Sequence, residues 1–69
     1  MNQKHQNTAA FTPEQFTNEL ERALPLSIPV EQKRLLAQAR AWAIVSYNGD
    51  VPAALHQQLK TLEERYGNA

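Results

Sequence analysis

The 69-residue sequence predicts an all-α fold of three helices: an antiparallel αα-hairpin of helices two and three, with a shorter N-terminal helix packed across it. Three observations carry that expectation. Apolar residues recur at helical spacing in three separate stretches. Proline, serine, threonine and glycine stand between those stretches where helix caps belong. The long stretch from Ile28 to Asn48 has no glycine and, beyond Pro29, no proline, and Leu, Ala, Gln, Lys and Arg dominate it.

Residues 1–10 are polar, without periodicity or a turn motif, and are expected to form a disordered tail to a single helical domain over 11–69. The first helix begins in "FTPEQF". Thr12 is the expected N-cap, and Pro13 takes the first helical position, where its missing N–H costs nothing. Gln15 is placed to complete a capping box, and Phe11 with Phe16 to form a hydrophobic staple. Phe16, Leu20, Ala23 and Leu24 then share a face, and Pro25 disfavours helical geometry at Leu24. The first helix is therefore expected over Pro13 to Ala23.

"PLSIP" reads as a short stiff connector, with Ser27 as the N-cap of the second helix. Within that helix Leu35, Ala39 and Trp42 are expected to look inward to the other two helices. Ala37, Ala41, Ile44 and Val45 occupy another arc. From Ala41 to Tyr47 the helix is apolar nearly all round, and such a helix must be covered on more than one side.

Asn48-Gly49 between apolar runs is the strongest short-range signal for a β-hairpin. Neither flank alternates with period two, however, and Pro52 would interrupt a returning strand. Gly49 is instead expected to be the left-handed residue closing helix two, and Asp50 the N-cap of helix three. In the third helix, expected over Val51 to Tyr66, the residues Leu55, Leu59, Leu62 and Tyr66 form a heptad-like seam. Gly67 follows where a left-handed C-terminal cap is expected.

So short a chain has little core, and below roughly 70–80 residues stability usually needs disulfides, metal, self-association or unusually good helix packing. The absence of cysteine removes disulfides and thiolate metal sites, and fits a reducing cytoplasm. Seven Lys plus Arg balance seven Asp plus Glu, so no strongly basic face is implied for nucleic acid or membrane surfaces. "MNQKHQNTAA" has no apolar core of a secretory signal, and no segment nears the roughly 20 apolar residues of a membrane span.

Catalysis needs nucleophile, base and orienter together. The two histidines, His5 and His56, have no such company, and no metal or cofactor site is expected. Two functional expectations remain. The leading one is a small non-enzymatic protein–protein interaction module of the cytoplasm (an adaptor, co-chaperone or inhibitor), acting as a homodimer. Its partner or dimer interface is expected at Ala37, Ala41, Trp42, Ile44, Val45 and Tyr47, because exposed apolar patches and aromatic anchors mark contact surfaces. The alternative is a small nucleic-acid-binding regulator with a helix-turn-helix-like hairpin, contacting nucleic acid or an acidic partner through Lys33, Arg34, Arg40 and Lys60. Against it, Asp50 stands where an apolar residue belongs after the turn glycine, and a later core position falls on Gln58 rather than Leu59.

Overall fold

The structure is a computed structural model that describes residues 12–67. The expected tail, Phe11 and its staple to Phe16 lie outside the described residues. Those described are mostly helical: α1 (Pro13–Ala23), a 3-10 turn (Leu24–Leu26), α2 (Pro29–Ser46) and α3 (Ala53–Tyr66). α2 packs against both α1 and α3, and α1 also reaches α3.

α1 starts as its sequence dictates. Thr12 is extended, at φ −112° and ψ 168°. The Gln15 N–H donates to Thr12 Oγ1 at 3.2 Å, and the Thr12 N–H donates to Gln15 Oε1 at 2.9 Å. Two backbone donors of the first turn are thereby satisfied reciprocally. At the other end α1 stops at Ala23 as expected, but the geometry before Pro25 differs from expectation. Leu24 keeps right-handed helical geometry (φ −59°, ψ −43°), its N–H donates to Leu20 O, and the chain continues into the 3-10 turn.

Ser27 is not the cap of α2. Its hydroxyl donates backwards to Ala23 O at 2.9 Å, closing the turn it follows, and its N–H donates to Leu24 O at 3.1 Å. The N-cap is Ile28, extended at ψ 160° because it precedes Pro29, and no side chain caps this end. Gln32 ties the junction together by donating from Nε2 to Leu24 O at 2.8 Å.

The Asn48-Gly49 turn combines both readings of that dipeptide. Asn48 (φ 53°) and Gly49 (φ 88°) are both left-handed, and the Asp50 N–H donates to Tyr47 O at 2.9 Å. Two positive φ values inside an i to i+3 bond are the signature of a type I′ turn. The same residues close α2. The Gly49 N–H donates to Ile44 O at 2.8 Å and the Asn48 N–H to Val45 O at 3.3 Å, the two bonds of a Schellman motif. Asn48, rather than Gly49, is thus the first left-handed residue.

Asp50 caps nothing here: α3 begins at Ala53, not Val51, with Pro52 as N-cap and without a side-chain cap bond. Val51 precedes a proline and is kept out of the helix for the same steric reason as Ile28. Gly67 also differs from expectation. Its φ is −92°, right-handed, and a Cβ there would come 2.7 Å from Glu63 O. Glycine fits that site through close approach to the carbonyl rather than through a positive φ.

The core draws on every element. Leu20 and Leu24 meet Leu36, Ala39 and Ala43 of α2, and Leu55, Leu59 and Leu62 of α3. Phe16, Leu35, Tyr47, Val51 and Tyr66 pack around it, partly buried. Thr17 is buried as well, its hydroxyl donating to Pro13 O at 2.8 Å.

Candidate interaction surface

α2 divides into three faces. Leu36, Ala39 and Ala43 point into the core. Beside them the aromatic residues turn towards α1. Trp42 is half-buried, and its ring lies 5.4 Å from that of Phe16 at an interplanar angle of 52°. Tyr47 is also half-buried, and its hydroxyl donates to Glu14 Oε2. This bond, with the backbone contact of Glu14, holds the Glu14 carboxyl below the usual glutamate range and pushes the Tyr47 phenol up. Of the six residues expected at an interface, these two therefore make contacts within the chain.

The other four lie together on the outer face. Ala37 and Ala41 are exposed, as are Ile44 (45 % of its surface) and Val45 (74 %). Val30 (69 % exposed) joins them from the first turn of the helix, and just before it Leu26 (87 %) and Ile28 (65 %) are exposed as well. Sequence reasoning assigned none of these three to a surface, with Leu26 and Ile28 taken up in the "PLSIP" connector. The available signal was an apolar residue at every second position around two prolines, with no opposing segment assigned to cover them. Val30, Arg34, Ala37, Ala41 and Ile44 are spaced four, three, four, three, which keeps them on one stripe of the helix. The stripe has branched aliphatics at both ends and alanines in the middle.

The four expected basic contacts are divided among different partners. Arg34 on the outer face donates from Nε to Glu31 Oε1 at 3.1 Å and from Nη2 to Glu31 Oε2. That pairing lowers the Glu31 carboxyl and raises the Arg34 guanidinium from their ordinary ranges. Arg40 instead bridges to α3. It pairs with Glu63 and donates from Nη1 to His56 Nδ1 at 3.0 Å. Its guanidinium is raised chiefly by the bond to Glu63. Lys33 and Lys60 are exposed. On α3 Leu59 is fully buried while Gln58 is half-exposed and bonds to Asn18 and Glu21.

Elsewhere, a groove of about 370 Å³ is lined by Glu21, Gln58, Thr61, Leu62, Arg65 and Tyr66. Among the described residues no group of His, Asp and Glu side chains is placed to hold a metal ion. No described helix is long and apolar enough to cross a membrane. Compared with known proteins, the chain matches no family model, no curated protein and no solved structure.

Proposed function

We propose that this chain is a small, non-enzymatic protein–protein interaction module of the cytoplasm: an adaptor, co-chaperone or inhibitor that presents the outer face of α2 and self-associates as a homodimer. Its scaffold, in this reading, is the antiparallel hairpin of α2 and α3 with α1 packed across it. Contacts from Arg40 on α2 to both His56 and Glu63 on α3 support that arrangement. The observation that carries the function is the exposure of Val30, Ile44 and Val45 on a helix whose opposite face is fully packed. Fully burying one such side chain is worth about 1.5–3 kcal/mol, so this face gains by meeting an apolar partner. The nucleic-acid alternative draws less support, because Arg34 and Arg40 are held by Glu31 and Glu63.

Affinity capture from cytosol with the parent chain and with Ile44→Asp/Val45→Asp tests the reading. Both positions are exposed, so helicity by circular dichroism should persist while partner capture is lost. Unchanged capture by the folded variant rules this face out.

A further inference from the structure

We infer that the outer face of α2 binds the same face of a second copy, the two α2 helices running antiparallel about a two-fold axis beside Ala37. This rests on the reading of that face as a contact surface, and it names the occupant and the register.

The first argument is symmetry. A two-fold interface must be complementary to itself, each residue i meeting j while j meets i. α2 spans Pro29–Ser46, so its midpoint falls between Ala37 and Gln38. Val30 and Val45 each stand one residue inside an end, and both are largely exposed. Antiparallel pairing about the midpoint therefore brings Val30 to the Ile44–Val45 end of the partner. Ala37 lies within one residue of the axis, beside its own symmetry mate, and a small residue there lets the helices approach closely. Arg34 falls opposite Ala41 of the partner subunit, where a methyl leaves room for the long aliphatic stem.

The second argument is charge. Arg34, the basic residue on the stripe itself, is already paired with Glu31 of its own helix. Arg34 therefore brings little unmatched charge to the stripe, and the exposed Lys33 lies at its edge, at the rim of the contact. The stripe suits another nearly neutral apolar surface, which its own copy supplies.

Area sets the strength. The 18 residues of α2 extend about 27 Å, and a single helix face of that length is small beside the roughly 2,000 Å² and more of obligate dimer interfaces. The dimer is therefore a concentration-dependent one rather than an obligate one.

The test uses the full chain, whose lack of cysteine makes single-cysteine variants unambiguous. Sedimentation from micromolar to millimolar concentration should show a reversible monomer–dimer equilibrium. Under mild oxidation Ala37→Cys should cross-link with itself at least tenfold faster than Gln57→Cys, an exposed control on α3. Val30→Cys mixed with Val45→Cys should give mixed dimers in preference to either homodimer. Val45→Asp, at a position with little packing of its own, should abolish the dimer while leaving the helix signal intact. A monomer at millimolar concentration overturns the second copy as occupant, and the capture experiment then judges the contact-surface reading separately. A dimer in which Ala37→Cys links no faster than the control overturns the register. Protection of the face in a monomer by residues 1–11, seen as nuclear Overhauser contacts, overturns the proposal in favour of the chain's own N-terminal segment.

Discussion

Arg40 on α2 and Glu63 on α3 form a two-point ion pair, Nε to Oε2 at 3.0 Å and Nη2 to Oε1 at 2.8 Å. Bidentate geometry of this kind is the strong form of a charge-assisted hydrogen bond. The pair is only partly shielded, with the Arg40 side chain 24 % and the Glu63 side chain 36 % exposed, and solvent screening limits its worth. A double-mutant cycle of Arg40→Ala and Glu63→Ala is expected to give a coupling energy of about 1 kcal/mol in urea unfolding. Coupling near zero would mean that the pair orients α3 without stabilising it.

The Tyr47–Glu14 hydrogen bond joins the end of α2 to the start of α1, and it predicts a pH dependence. Glu14 has a folded pKa below its unfolded value, so its contribution is present above the ordinary glutamate range of about 4.3. It is lost as pH falls through the lowered folded value. Tyr47 runs the other way: its raised pKa gives a contribution present below the ordinary tyrosine range and lost as pH rises through the folded value. Tyr47→Phe should return the Glu14 carboxyl, followed by carbon NMR, upward towards its ordinary pKa. An unmoved Glu14 titration in that variant would show that the bond is not formed in solution.

Two capping substitutions separate the structure from the simplest reading of the sequence. Asp50→Ala should change unfolding stability by no more than about 0.5 kcal/mol, because Asp50 is exposed and caps no helix. Thr12→Ala should cost about 1 kcal/mol, because it removes the Oγ1 that accepts from the Gln15 N–H. A larger loss at Asp50 than at Thr12 in thermal melts would contradict the assigned caps.

Gly49→Ala places a side chain at φ +88°, where nothing lies within 4 Å but the backbone itself resists a Cβ. The expected cost is about 1–2 kcal/mol, from backbone strain alone. Asn48→Gly, at the neighbouring left-handed position, should be close to neutral. Equal effects at the two sites would show that the turn can rearrange.

Truncating leucines should distinguish core from surface by a wide margin. Leu59→Ala removes a fully buried side chain and is expected to cost about 2–5 kcal/mol, enough to unfold much of so small a protein. Leu26→Ala, at the most exposed of the large apolar residues, should lie within about 0.5 kcal/mol of the parent chain. Guanidinium unfolding of the two variants checks both.

Local chemistry made much of this fold legible. The span of α1 and its capping box follow from residues within one turn of each other: Thr12, Pro13 and Gln15 interact whatever the rest of the chain does. The seam of Leu55, Leu59 and Leu62 is buried as its spacing implies. Caps beside the later prolines were harder to read. Ser27 and Asp50 both have side chains suited to N-capping, but each is followed by a residue that its proline holds extended. Ser27 consequently bonds backwards to Ala23, and Asp50 is left on the surface.

The candidate surface was legible in part, and for a definite reason. α2 is apolar nearly all round from Ala41 to Tyr47, so periodicity does not say which side is covered. Trp42 and Tyr47 were equally suited to an interface or to the chain's own packing. Contacts with Phe16 and Glu14, some thirty residues away in sequence, turn both towards α1.

The sequence by itself thus determined what depends on neighbours along the chain: three helices, both ends of α1 and the close of α3, a left-handed close to α2 at Asn48-Gly49 and the leucine seam of α3. Tertiary structure alone decided what depends on distant neighbours. It buried Leu36 and Ala43, turned Tyr47 towards Glu14 and engaged Arg40 with Glu63. It also left an aliphatic stripe from Val30 to Val45 facing water. The physical reason is that hydrogen-bonded caps and helical period act over a few residues, whereas burial is non-directional and goes to whichever face another helix happens to cover.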